Sequence, residues 1–237
     1  MTQINSPHNA RLKELRRLRT RRERERSGRF LAEGEDLVTA AAAARRPALA
    51  GYRLAGSGLG GSAFTDVDAD ALTAVSTLGS GTRVIGVYEQ RWSDPVGPLC
   101  VYLHGVGDPG NVGAVLRSAL AFGASCVVLG PGCADPHGPK AVRASMGAIF
   151  SVALARSHDV QTLPGERIAL VAHAGDALRR SAQGAVTLLV GAERAGLPEP
   201  LVSACDRVAH IPIESDSLNA AMAATVALYE MTRVPAS

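Results

Sequence analysis

"HGVGDPGNVGAVLRSAL", residues 104–120, contains Gly105-Val106-Gly107-Asp108-Pro109-Gly110 between an apolar run, LCVYL at 99–103, and a helix-like run. That is G-x-G-x-x-G at a strand–helix junction, where a dinucleotide-binding fingerprint sits. The fingerprint also needs an acid closing the second strand, to hold the ribose hydroxyls. Here the second strand, CVVLG at 126–130, runs into Pro131 and Gly132, and the first acid beyond it is Asp135. Asp108-Pro109 reads instead as a turn, or as an N-cap followed by Pro at the first helical position. With 25 glycines in the chain the string arises easily by chance, so an NAD site is the weaker reading. The informative letters come after the glycines. Asn111 opens the helix, where free N–H groups favour an anion. Arg117 follows inside VGAVLRSALAFGA, which is apolar on most sides. A buried arginine there needs a partner, either an ion pair inside the protein or an anionic ligand. Periodicity alone leaves both open.

Outward from this stretch the pattern is regular. Strand candidates are 99–103, 126–130, SVALA at 151–155, RIALVA at 167–172, VTLLVG at 186–191 and RVAHIPI at 207–213. Helix candidates lie between and after them at about 111–122, 139–147, 196–205 and 217–232. Strands alternating with helices predict an α/β domain with a parallel sheet covered on both faces. Upstream, one helix is expected over Asn9–Arg24, with Leu12, Leu15 and Leu18 as its stripe. A strand, a turn at Gly34 and an Ala-rich helix follow within 30–43. A strand at 49–55, a loop at 56–63, a helix at 66–78 and a strand at 82–90 complete a small α/β unit. WSDPVGP, 92–98, has the composition of a linker. The expected division is therefore 1–91, linker 92–98, and 99–237.

The chain has 237 residues, 46% hydrophobic but only 4% aromatic, which suits an aliphatic core without disulfide staples. No segment is apolar enough to span a membrane, and the start, MTQINSPHNA, lacks a signal-peptide core. Cys100, Cys126, Cys133 and Cys205 form no Cys-x-x-Cys pair and no metal-ligand spacing, which predicts reduced thiols, no metal and a cytoplasmic protein. The net charge of +3 is uneven: residues 1–30 hold ten Lys/Arg and three Glu, a net +7, and the remainder carries −4. Such a block favours a polyanion, most often nucleic acid, over a merely solvated helix.

Two further stretches are informative. TLLVGAERAGLP, 187–198, is a strand running into a loop with Gly191, Glu193 and Gly196. HIPIESDSLNAAMAATVALYE, 210–230, is a strand, a Pro-bearing loop and a helix opened by Ser217-Leu218-Asn219, with small residues Ala220, Ala221, Ala223 and Ala224. Both loops follow the carboxyl ends of strands, where open α/β sheets bind ligands.

DPGNVGAVLRSALAFGA, LLVGAERAGLP and IPIESDSLNAAMAATVALYE, with KAVRASMGAIF at 140–150 between the first two, resemble the ordered motifs of the SpoU/TrmH branch of the SPOUT RNA methyltransferases. The resemblance covers about 97–237. The start (Asn9, Arg11, Lys13) and FLAEGEDLV are similar to the L30e-like substrate-binding domain often joined to that family. The loop from Ile213 to Ser217 is shorter than in many relatives.

The resemblance implies a C-terminal parallel-sheet SPOUT domain with a trefoil knot. It implies S-adenosyl-L-methionine as cofactor, bound by Gly191, Ile211, Leu218 and Asn219, with Ala172 at the end of its strand. Arg117 is implied to be the catalytic group, stabilising the alkoxide of a ribose 2′-hydroxyl and gripping RNA phosphate, with that phosphate a candidate proton acceptor. Asn111 would orient the nucleotide, and Glu193 would position Arg117 or the loop. Arg143 and, on the basic arm, Arg11, Arg16 and Arg19 are the candidate RNA contacts. A homodimer through the C-terminal domain is also implied, with the small-residue face at 220–224 a candidate interface and internal packing its equal alternative. The expected activity is 2′-O-methylation of structured RNA, 23S rRNA ahead of tRNA. A non-catalytic RNA-binding protein of the same fold and an NAD enzyme are the competing readings.

Overall fold

The computed structural model describes residues 3–78, 81–180 and 184–233. The chain divides into two compact units. The first comprises the described residues up to Gln90 together with Asp135–Phe150; the second comprises Arg91–Ala134 and the described residues from Ser151 onward.

The first unit opens with α1 (Ala10–Arg17) and α2 (Arg21–Ser27), where one helix was expected. The break falls at Leu18–Thr20, because the Thr20 hydroxyl accepts from the Glu23 amide and caps a second start. Leu12, Leu15 and Leu18 bury their side chains against Leu31, Leu72 and Ile85. Burial of each contributes about 1.5–3 kcal/mol. Strands β1 (Arg29–Glu33), β2 (Ala50–Leu54), β3 (Phe64–Val67) and β4 (Val84–Glu89) form a sheet ordered β1-β4-β2-β3, with α3 (Glu35–Ala43) and α4 (Ala69–Thr73) in the connections. The helix expected over 66–78 shrinks to α4 because FTDV before it pairs with β2 as a strand.

The second unit is built on a seven-stranded sheet. Its elements begin with β5 (Leu99–Leu103), α5 (Pro109–Ala121) and β6 (Cys126–Leu129). The chain then lends a segment to the first unit, containing α6 (Pro139–Ala144), and resumes at β7 (Ala153–Arg156). β8 (Glu166–Leu170), β9 (Asp176–Ala177), β10 (Val186–Val190), α7 (Glu199–Ser203), β11 (Arg207–His210) and α8 (Ala220–Thr232) follow. The order is β7-β6-β5-β10-β8-β11-β9, and every pairing is parallel, as expected. From β5 the chain steps outward to β6 and β7; from β10 it steps the other way, past β8, to β11. The loops leaving β5 and β10 therefore diverge and open a crevice at the carboxyl edge.

Two boundaries differ from expectation. Residues 92–98 are not a free linker: Ser93 bridges to β7, its amide donating to the Leu154 carbonyl at 2.8 Å, and the Arg156 guanidinium lies 3.9 Å from the Trp92 ring centroid. The span 99–237 is not one unit either, because Asp135–Phe150 packs with the first. Phe30 and Tyr88 meet His137 and Phe150 in an aromatic cluster with centroids 4.8–6.0 Å apart. Gly147 passes so close to α3 that a Cβ there would lie 2.4 Å from the Ala40 Cβ.

Arg24 fastens this segment. It is 4% exposed. Its Nε and Nη2 donate to Asp135 Oδ2 at 2.8 and 2.7 Å, and its Nη1 donates to the carbonyls of Leu18 and Arg19. Asp135, the acid nearest to a ribose-binding role in the NAD reading, is thus consumed by an ion pair. Cys100 and Cys126 sit at paired positions of β5 and β6, both buried and free. The Cys100 thiol is pushed up by its hydrogen bond with Cys126 and by burial. Among the described residues no helix is long and apolar enough to cross a membrane.

Candidate active site

The glycine string resolves as a capped turn. Asp108 accepts from the Asn111 amide at 3.0 Å, and Pro109 takes the first helical position of α5. This holds Asn111 at the edge of the crevice. Its side-chain amide donates to Glu193 Oε1, and its carbonyl oxygen accepts from Asn219 Nδ2 at 3.2 Å. Asn219 in turn caps α8, accepting from the amides of Ala221 and Met222 at 2.9 and 3.3 Å. Three segments far apart in sequence thus meet in one chain of hydrogen bonds. Within the chain Glu193 bonds to Asn111 and makes no bond to Arg117.

Beside this chain lies a cleft of about 620 Å³, open solvent at its mouth included. Of the five residues expected to hold a cofactor, Ala172, Gly191, Ile211 and Leu218 line it, and so does Glu193. Asn219 does not line it; it anchors the helix that closes it. Leu170, Ile213 and Ser217 line the cleft unanticipated, although their places at or beyond strand ends were a usable signal. Gly191 is required by close approach: a Cβ there would fall 2.2 Å from the Gly196 carbonyl carbon and 2.4 Å from the Leu197 amide nitrogen. The loop folds back on itself here, the Gly196 amide donating to the Ala192 carbonyl at 2.9 Å. Ile211 and Ile213 lie past the last paired residue of β11, so their backbone groups are outside its ladder. Apolar walls, unladdered backbone and one carboxylate fit S-adenosylmethionine, with its flat adenine, hydroxyl-bearing ribose and cationic end.

Arg117 is a correction. It is exposed, not buried, and forms no bond to another described residue. The apolar letters around it fill the opposite face of α5, where Val112, Val115, Leu116 and Ala119 are buried. The internal ion pair is thereby removed as its explanation. Nor is it brought to Asn111: six residues carry it about 240° around the helix. For the small-residue face of α8 the structure favours one of the two alternatives left open. Ala220, Ala221 and Ala224 are buried within the unit and Ala223 lines the cleft, so internal packing accounts for them.

The basic arm divides by partner. Arg16 donates to the Pro7 carbonyl at 2.7 Å and to the Ala74 carbonyl at 3.5 Å; Arg19 donates to the Ser76 carbonyl at 2.6 Å. Both were expected on RNA, and both are committed to holding loops. Arg11 and Arg143 are exposed, as a phosphate contact requires. Lys13, Arg17 and Arg22 are exposed too and make no hydrogen bond or ion pair to another described side chain, although, after the hydrogen bond from Arg26, Arg17 and Arg22 help lower the pKa of Glu23 through space. The 100° wheel set by Leu12, Leu15 and Leu18 already pointed Lys13 and Arg17 outward. Among the described residues no group of three or more His, Cys, Asp or Glu could hold a metal ion.

The fold and cleft define an α/β protein that takes a nucleoside-sized ligand where diverging loops leave a parallel sheet. Comparison narrows the class. Residues 98–229 match the model of the SpoU rRNA methylase family, and residues 9–50 match that of an MRM3-like substrate binding domain. The chain belongs to the SpoU rRNA methylase family. It is 28% identical over 257 aligned residues to the 23S rRNA (guanosine(2553)-2′-O)-methyltransferase RlmP of Bacillus subtilis, covering 98% of this chain and 99% of that protein. It is 36% identical over 140 residues to the 23S rRNA (uridine(2479)-2′-O)-methyltransferase of Streptomyces viridochromogenes, covering 53% of this chain and 49% of that one. The AdoMet-bound rRNA methyltransferase of Sinorhizobium meliloti superposes with a TM-score of 0.84 at 29% identity, over 97% of this chain and 96% of that one.

Proposed function

We propose that this protein is an S-adenosylmethionine-dependent methyltransferase that modifies a ribose 2′-hydroxyl in 23S ribosomal RNA. The observation that carries the reading is the Glu193–Asn111–Asn219 chain beside a cleft lined by four of the five expected cofactor residues. The rRNA-modifying relatives favour ribosomal over transfer RNA, and neither an NAD enzyme nor a non-catalytic binder needs this arrangement.

Bound S-adenosylmethionine supplies a sulfonium methyl that the ribose oxygen takes as its O–H proton leaves. The residues of the chain do the rest. Asn111, locked by Glu193 on one side and Asn219 on the other, presents a fixed amide to the nucleotide. Arg117 brings a guanidinium cation, so it acts as an electrostatic stabiliser of the developing alkoxide rather than as a base. Its planar fork also suits the adjacent phosphate, which is placed to receive the proton.

Arg117 faces away from the Asn111 of its own chain, which supports a homodimer in which one subunit's α5 completes the other's site. An exposed apolar stripe supports the same reading: Met222, Val226 and Tyr229 on α8, with Leu120 on α5, are 40–63% exposed. Residues spaced this way line one helix face and favour a protein partner. The deep trefoil knot and a cytoplasmic location belong to this reading as well. Mapping ribose methylation on total RNA from cells with and without the protein tests it: one 23S position should lose its mark. No change at any rRNA position would refute it.

A further inference from the structure

Along β5 the side chains alternate, so Cys100, Tyr102 and His104 share one side of the strand. Cys100 and Tyr102 are wholly buried in an apolar cluster. His104 comes next, one residue past the last ladder pair, Leu103 with Val190, at the head of the crevice. It is pinned there: its amide donates to the Val190 carbonyl at 2.9 Å, and the following amide, of Gly105, donates to the Pro131 carbonyl at 2.9 Å. The ring packs near Tyr102, with centroids 6.4 Å apart. Its Nδ1 is buried and has no hydrogen-bond partner.

A buried orphan of this kind is costly, and an apolar residue of the same shape would avoid the cost. An orphaned donor is rarer than an orphaned acceptor, which leaves Nδ1 bare and places the ring proton on Nε2. Burial also pushes the His104 pKa below the usual histidine value, so the ring is neutral at neutral pH. The result is a fixed, uncharged N–H donor beside Gly191 and one turn of loop before Asn111. A neutral donor suits the nucleotide itself, since the arginines serve the phosphates.

We propose that His104 contacts the substrate, its Nε2–H donating to an acceptor oxygen of the target nucleotide in the crevice between the loops leaving β5 and β10. The proposal rests on the RNA methyltransferase reading above and adds a recognition residue to it. The test is steady-state methyl transfer to an in vitro 23S transcript by wild type, His104→Phe and His104→Gln, varying RNA and methyl donor separately. Phe keeps the shape without the donor, and Gln restores an N–H near the Nε2 position. The Phe variant should lose about tenfold in kcat/KM for RNA, with KM for S-adenosylmethionine and the melting temperature held, and Gln should recover most of the loss. RNA kcat/KM within about twofold of wild type in the Phe variant would overturn the proposal. So would a loss that appears in KM for the methyl donor, or a Gln variant as poor as Phe. Absence of transfer by wild type would overturn the methyltransferase reading instead.

Discussion

Arg117 faces solvent from the middle of α5, and truncating it removes no buried contact. Arg117→Ala is expected to change stability by no more than about 0.5 kcal/mol and to keep S-adenosylmethionine binding by calorimetry. Methyl transfer should fall by about 100-fold or more, the scale of losing a stabiliser of a developing oxyanion. Wild-type turnover in that variant would remove Arg117 from the chemistry. Residues of this site were legible in the sequence to different depths. Asn111, Glu193, Asn219, Gly191, Ile211 and Leu218 sit in ordered motifs, Ala172 ends a strand run outside them, and the structure brings these residues to one cleft and the hydrogen-bond chain beside it. The exposure of Arg117 was legible as well, because Val112, Val115, Leu116 and Ala119 describe one face and residue 117 falls off it. What joins Glu193 to Asn111 was not legible: the bond spans 82 residues and depends on β10 pairing with β5.

The short helices α1 and α2 carry the basic arm, and there sequence composition misled. All ten cations of the first thirty residues look alike as letters. Their fates are set by whether a carbonyl from a distant loop reaches them, as those of Ala74 and Ser76 reach Arg16 and Arg19. The double variant Arg17→Gln/Arg22→Gln should lower the salt slope of RNA binding by about one unit per lost phosphate contact, leaving melting unchanged. Arg16→Gln/Arg19→Gln should do the reverse, keeping the slope and losing about 1 kcal/mol per residue in denaturant unfolding. Arg24 is the extreme case. Arg24→Ala strands the Asp135 carboxylate in a buried place and frees two carbonyls, and should cost about 3–5 kcal/mol. A variant that unfolds at the wild-type denaturant midpoint would show that this ion pair does not hold the segment.

For the whole molecule, the stripe of Met222, Val226 and Tyr229 sets an expectation about assembly. Val226→Lys/Tyr229→Lys should sediment as a monomer, bind S-adenosylmethionine, and lose methyl transfer, because each chain's Arg117 then has no second copy to serve. A fully active monomer would show that the site is complete within one chain. The parallel sheet of the second unit was readable from alternating strand and helix runs, since buried strands spell continuous apolar letters. The two-residue β9 was too short to register, and the partition into units was hidden for a different reason. Composition marks linkers by Pro and Gly, but the excursion at 135–150 is announced by neither alone; its membership is decided by a buried arginine 111 residues upstream.

That excursion bears on how the protein is made. A chain emerging from the ribosome can form β1 to β4 early, yet the first unit lacks its final layer until residue 150 has been synthesised. By then β5, α5 and β6 are already outside, waiting for strands that come still later. Neither unit can be finished before the other has begun, so the two are coupled in time during synthesis. A cut or a graft at residue 91 would leave the first unit without residues 135–150, and would leave that segment in the downstream piece without the residues it packs with.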